Sequence, residues 1–185
     1  LVAKCDQLKN FKISGCAGAG RLLRNLLAQA SRGKTLGGFT EKGATMTIQS
    51  FSPEDTEQLG FMVGKEARPG DVFCLSGGLG AGKTVFTRGL ARALGYDGHV
   101  TSPTFSLMNE YEGVALKLYH FDLYRLETEE DMESIGYEDY FFGDGVCLVE
   151  WPERAGDLIP VDAIWLKIDT NLTQDNYDYR EITVL

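Results

Sequence analysis

Residues 73–94, FCLSGGLGAGKTVFTRGLARAL, constrain this chain more than any other stretch. An unbroken apolar run, VFCLS (residues 72–76), leads into the glycine-rich octet Gly77–Thr84, and a helical pattern follows at once. A strand that is apolar at every position is covered on both faces, as in the centre of a parallel sheet. The pattern after the octet puts Phe86, Leu90, Ala93 and Leu94 on one helix face, and Gly95 is placed to end it. A buried strand, a glycine turn and an amphipathic helix in direct succession predict an α/β layered architecture.

The octet GGLGAGKT satisfies G-x-x-x-x-G-K-[ST] in full. Glycines let successive backbone N–H groups curl toward a phosphate with no Cβ in the way. The start of the helix adds its unpaired N–H groups and the positive end of its dipole. Gly78, Leu79, Gly80, Ala81 and Gly82 therefore form the cradle. Lys83 reaches the β and γ phosphates, and the Thr84 hydroxyl ligates Mg2+. ATP and Mg2+ are the ligands to expect. A second stretch, GCAGAGRL (residues 15–22), imitates the octet but has Arg21 for the lysine and Leu22 for the hydroxyl, behind a lead-in too short for a buried strand. RGKT (Arg32–Thr35) has no glycine five residues before its lysine. The sequence predicts one nucleotide site, beginning at Gly77.

Elsewhere the pattern alternates strands with helices. TIQSF reads as a strand, and Ser52 as an N-cap with Pro53 at the first helical position and Asp55 three residues after the cap. That helix carries Leu59, Met62 and Val63 on one face and ends near the ARPGD turn. TFSLMNEYEG and VALKLYHFDLY read as two strands around a turn near Glu112–Gly113, and ETEEDMESIGYEDYFF as two short helices. VCLVEW is a second apolar strand, ending in a carboxylate, and WLKID and YREITVL close the sheet. The fold class is α/β, a P-loop NTPase-like three-layer fold with a mixed, partly parallel central sheet.

A phosphate-loop enzyme also needs a carboxylate for the magnesium shell, usually at the end of a neighbouring apolar strand. Glu150 in VCLVEW is so placed. Asp122 in LYHFDLY ends another strand and either contacts Mg2+ or orients the attacking water. Ahead of both lies VTSPTF, where Thr101, Ser102 and Thr104 crowd a proline and are candidates for a switch that senses the γ-phosphate. His99 and His120 show no metal-ligand spacing, and His120 reads as a packing or hydrogen-bonding residue. Trp151 follows Glu150 and so lies near the site, where it either stacks on a base or packs.

The formal net charge of −9 hides a split. Residues 1–45 hold eight Lys/Arg against two Asp/Glu; residues 46–185 hold ten against twenty-five. A body this acidic is repelled by nucleic-acid phosphates, so direct RNA binding by it is not expected. Residues 1–45 read as a basic, poorly ordered or non-native extension with a helix at most over 20–30, and Met46 as the native start of an ATPase domain spanning 46–185. Four scattered cysteines without CxxC spacing suit reduced thiols in the cytoplasm, and no apolar run approaches the length of a membrane span.

The GTPase patterns NKxD and DxxG do not occur. Small-molecule kinases, the main alternative, clamp the moving phosphoryl group with several arginines. From Met46 on there are only Arg68, Arg88, Arg92, Arg125, Arg154 and Arg180, without a clustered lid, and the acidic stretch Glu127–Asp139 would repel phosphorylated acceptors. A slow hydrolase that switches a partner fits better. A nucleotide-gated binding module without turnover is the non-enzymatic alternative.

In order, GGLGAGKT, VTSPTFSL, YHFDLYRL, IGYEDYF and CLVEWPER resemble the TsaE (YjeE) family of bacterial ATPases, from Met46 to about Arg180. The resemblance implies an ATPase needed for the threonylcarbamoyladenosine modification of tRNA position 37. It would work with TsaD-like and TsaB-like proteins, which transfer the group, and would touch tRNA only through that complex. ATP hydrolysis would reset the complex between turnovers. The resemblance gives phosphate and Mg2+ binding to Lys83 and Thr84, metal and hydrolysis roles to Asp122 and Glu150, and places Thr56, Trp151 and Glu153 near the nucleotide. Arg180, in the poorly matching tail, keeps an open role.

Overall fold

The computed structural model describes residues 12–14, 46–170 and 176–185. The helix expected over 20–30, the imitation loop from Gly15 onward, Cys5 and Cys16 lie outside the described residues. Among the described residues eight strands form one sheet: β1 (Lys12–Ser14), β2 (Met46–Ser50), β3 (Val72–Ser76), β4 (Met108–Tyr111), β5 (Leu118–Asp122), β6 (Val146–Glu150), β7 (Ile164–Thr170) and β8 (Arg180–Val184). Their order is β1-β2-β8-β7-β3-β6-β5-β4. The strand ahead of the glycine octet is thus central, parallel to both β6 and β7, and β5 runs parallel to β6. The remaining pairings are antiparallel, so the sheet is mixed with a parallel centre.

Helices cover both faces, as the continuous apolar strands require. On one face lie α1 (Pro53–Gly64) and α2 (Lys83–Ala93), which bury Leu59, Val63, Phe86 and Leu90 against Phe73, Leu75 and Leu148. On the other, α3 (Glu129–Ile135), α4 (Tyr137–Phe141) and two single-turn helices cover Cys74, Phe121 and Val149 with Met132, Phe141 and Ala155. Full burial of each large apolar side chain contributes about 1.5–3 kcal/mol. Cys74 and Cys147 sit in this second layer, and burial pushes both thiols up to about 12, which marks them as packing groups.

Local chemistry sets the ends of these elements. The Ser52 hydroxyl accepts from Asp55 N at 3.1 Å, and Asp55 reaches back to Phe51 N at 3.0 Å, a cap of about 1 kcal/mol. The turn expected at Glu112–Gly113 is wider, since β4 ends at Tyr111 and β5 starts at Leu118. That connection bends back onto the end of α2, where Leu94 O accepts from Ala115 N at 2.9 Å.

α1 and α2 touch through backbone. A Cβ added at Gly60 would lie 2.0 Å from Phe86 O, and one at Gly89 would lie 1.8 Å from Glu57 O. Only glycine permits that approach, and it holds α2, with Lys83 at its first position, hard against α1.

Candidate active site

The parallel strands β3, β5 and β6 all end on one side of the sheet, and the site lies beyond those ends, where open α/β sheets place their ligands. β3 delivers the octet there. Gly77 has φ 143° and Gly82 has φ 105°, and a Cβ at Gly77 would also meet Ile168 O at 2.3 Å. An added Cβ at Gly78 or Gly80 would meet nothing within 4 Å, so this part of the loop is open on its surface. Arg180, at the start of β8, donates from Nε to Ala81 O at 2.8 Å and braces the loop from behind.

Lys83 is 5% exposed. Its Nζ donates to Gly77 O at 2.9 Å and Gly78 O at 3.0 Å, and stands 4.2 Å from the centre of the Trp151 ring. Burial pushes its amine below the usual lysine range, and the charges of Glu150, Asp122 and Glu153 pull it back up. Trp151 takes a left-handed backbone, φ 58°, at a cost of about 1–3 kcal/mol. That turn lays the indole over Lys83 and against Tyr124, at 5.0 Å between ring centres.

Two carboxylates close the cleft. Asp122 and Glu150 are cross-strand partners at the ends of β5 and β6, each 3% exposed. Glu150 Oε1 accepts from Thr84 Oγ1 at 3.1 Å and pairs with His120 Nε2 at 2.9 Å. Asp122 Oδ2 accepts from Ser102 Oγ at 2.7 Å and Thr104 Oγ1 at 2.6 Å, while Oδ1 accepts from Tyr124 N at 3.2 Å. Leu79, Gly80, Ala81, Gly82, Lys83, Ser102, Thr104, Asp122, Tyr124, Glu150 and Trp151 line one cleft.

Of the expected residues, Gly78 and Thr84 are not among those that line it, although Thr84 is bonded to Glu150, and three others also lie outside it. Thr101 faces away: its hydroxyl meets Asn109 Nδ2 at 3.4 Å, and its carbonyl accepts from Tyr111 OH at 2.9 Å. Pro103 stiffens a turn that sends Ser102 and Thr104 one way and Thr101 the other. Thr56 is buried, its hydroxyl 2.7 Å from Ser50 Oγ and its methyl beside Gly82. Glu153 is exposed outside the cleft and reaches Lys83 only through its charge. Conversely, Tyr124, His120 and Arg180 belong to the site more closely than sequence reasoning placed them. His120 had a readable signal, for it lies two residues before Asp122 and so on the same strand face.

Oxygen donors and the open loop fit a hydrated divalent ion bound with phosphate. A hydroxyl and a carboxylate are hard ligands suited to Mg2+, which takes one or two carboxylates and completes its shell from phosphate and water. No cluster of three or more His, Cys, Asp or Glu able to hold a metal ion occurs among the described residues.

Fold and site together define a P-loop NTPase-like protein: a central parallel strand, a glycine loop with its lysine, and paired carboxylates on the neighbouring strands. Known proteins narrow this class. The family model for "Threonylcarbamoyl adenosine biosynthesis protein TsaE" matches residues 50–182, and the chain belongs to that family. A relative from Bacillus subtilis, the tRNA threonylcarbamoyladenosine biosynthesis protein TsaE, is 42% identical over 135 residues, which span 73% of this chain and 82% of the relative. The protein of that name from Treponema pallidum is 42% identical over 139 residues, spanning 75% and 99%. The crystal structure of Bacillus subtilis YdiB superposes with a TM-score of 0.61 at 38% identity, over 76% of this chain and 84% of that one.

Proposed function

We propose that this protein takes part in tRNA threonylcarbamoyladenosine biosynthesis as a cytoplasmic accessory protein that binds MgATP and hydrolyses it slowly. It acts on the modification through TsaD-like and TsaB-like proteins and meets tRNA only through them. The work is assigned to residues 46–185, with residues 1–45 as an extension. Among the described residues no helix is long and apolar enough to cross a membrane.

The observation that carries this reading is the convergence of Lys83, Glu150 and Asp122 on one cleft at the ends of three parallel strands, with Thr84 bonded to Glu150. The loop amides and Lys83 bind the phosphates. Thr84 and Glu150 would hold Mg2+, which when bound offsets phosphate charge. Asp122 orients a water for attack on the γ-phosphorus; the bond from that phosphorus to the oxygen bridging it to the β-phosphate breaks, the water's hydroxyl stays on the phosphate, its other hydrogen is released as a proton, and ADP leaves. Ser102 and Thr104 are bonded to Asp122 and line the same cleft as the loop and Lys83, which supports their role as a switch. The kinase alternative gains nothing from the arginines near the loop, since Arg180 is spent on backbone carbonyls and Arg88 and Arg92 pair with Glu57.

The test is threonylcarbamoyladenosine formed over many turnovers by a TsaB–TsaD pair, with and without this protein. Product should stop near one equivalent without it and accumulate with it and ATP. Equal accumulation in both would remove the proposal. Efficient phosphoryl transfer to a metabolite would favour the kinase, and tight ATP binding with no hydrolysis the binding module.

A further inference from the structure

His120 has the least ordinary surroundings of any side chain behind the cleft. It lies on β5 at 0% exposure, where an imidazole without partners is costly. Its Nε2 is 2.9 Å from Glu150 Oε1, and because a carboxylate oxygen only accepts, Nε2 carries the hydrogen. Nδ1 has no hydrogen-bond partner among the described residues. A histidine kept for packing alone is better replaced by an apolar residue of similar volume, which leaves no polar atom unpaired. This one has a single polar commitment, and it is to a carboxylate of the site.

The same Glu150 oxygen also accepts from Thr84 Oγ1 at 3.1 Å, so among the described residues both hydrogen bonds to that carboxylate fall on Oε1 and none on Oε2. Glu150 thus lines the cleft with one oxygen fixed and the other available. Tyr111 lies behind His120, ring centres 6.3 Å apart, and is itself tied to the Thr101 backbone through its hydroxyl. The imidazole is therefore held between a clamped tyrosine and Glu150.

We propose that His120 is a positioning residue for Glu150: together with Thr84 it pins Oε1 and so reserves Oε2 for the cation that enters with the nucleotide. This rests on the assignment of Glu150 to the Mg2+ shell. Partners of metal-binding carboxylates act in this way, and losing one typically weakens metal affinity about 10–100-fold.

The experiment compares His120→Gln with His120→Asn. Glutamine carries its amide to about the position of Nε2 and can still donate to Oε1; asparagine stops near Nδ1 and cannot. The readout is the Mg2+ concentration that half-saturates the Mg2+-dependent part of binding of a non-hydrolysable ATP analogue. The asparagine variant should need about 10–100-fold more Mg2+, the glutamine variant should stay within about threefold of wild type, and binding in EDTA should be the same in all three. An asparagine variant equal to wild type, or a glutamine variant as impaired as asparagine, overturns the proposal. Should the variants not fold, nitrogen-15 NMR of wild-type imidazole rings decides. A protected Nε2–H that shifts when Mg2+ joins the nucleotide complex is expected, and one that Mg2+ leaves unmoved overturns it. Wild-type protein without any Mg2+-dependent nucleotide binding would instead defeat the proposed function itself, and this inference with it.

Discussion

Asp122 and Glu150 sit side by side on adjacent strands, equally buried, yet they are held by different parts of the molecule. Glu150 is tied to the frame, to a fully buried histidine on β5 and a hydroxyl on the first turn of α2. Asp122 is tied to Ser102 and Thr104, on the partly exposed segment between α2 and β4. Glu150 is thus held by groups of the packed frame, and Asp122 by two loop hydroxyls together with the Tyr124 backbone amide. Under the proposed function, the pair would separate holding from sensing within a single cleft.

Lys83→Ala should break both halves at once, because the ammonium lies within electrostatic reach of both acids. ATP hydrolysis should fall by about 10^3-fold or more, and unchanged turnover would remove the phosphate-loop reading. The two acids should then part company. Asp122→Asn should lower hydrolysis about 10^2- to 10^3-fold with nucleotide affinity nearly intact, as loss of a group that positions the attacking water does. Glu150→Gln should first show as weaker Mg2+-dependent binding in titrations. Identical profiles for the two would collapse the contrast.

The sensing half is sharpened by the hydroxyls. Replacing Ser102 and Thr104 together with alanine should slow steady-state hydrolysis about tenfold, the scale of one lost hydrogen bond to a charged group. Thr101→Val should leave it within about twofold, since that hydroxyl faces Asn109. A large effect at Thr101 would mean that this segment works as one unit. Smallest at the site, and purely structural, is Gly89→Ala. It should cost about 1–3 kcal/mol of stability in denaturant titrations from overpacking, while hydrolysis per folded molecule stays close to wild type.

The frame was readable because its signals are local. Two apolar strands, the octet between strand and helix, the Ser52 cap and the acids at strand ends each need only neighbours in the chain. What escaped depends on partners far away. Thr101, Ser102 and Thr104 look alike in sequence, and only the turn at Pro103 and the position of Tyr111 separate them. Arg180 reaches the loop because β8 starts beside Ala81, a register no local pattern encodes. His120 shares a face with Asp122 by strand period, but its partner comes from the alignment of β5 with β6. Gly60 and Gly89 read only as weak points in helices until the second helix shows why a side chain is excluded.

The glycine crossing also bears on how genetic variation in this chain is interpreted. A catalogue of harmful substitutions would rank Gly60 and Gly89 beside Lys83, although neither is among the cleft-lining residues. Their intolerance comes from a neighbouring carbonyl and has no connection with nucleotide chemistry. Abundance measured alongside activity sorts the two groups: variants at the crossing lower the amount of protein, and those at the cleft lower what each molecule does.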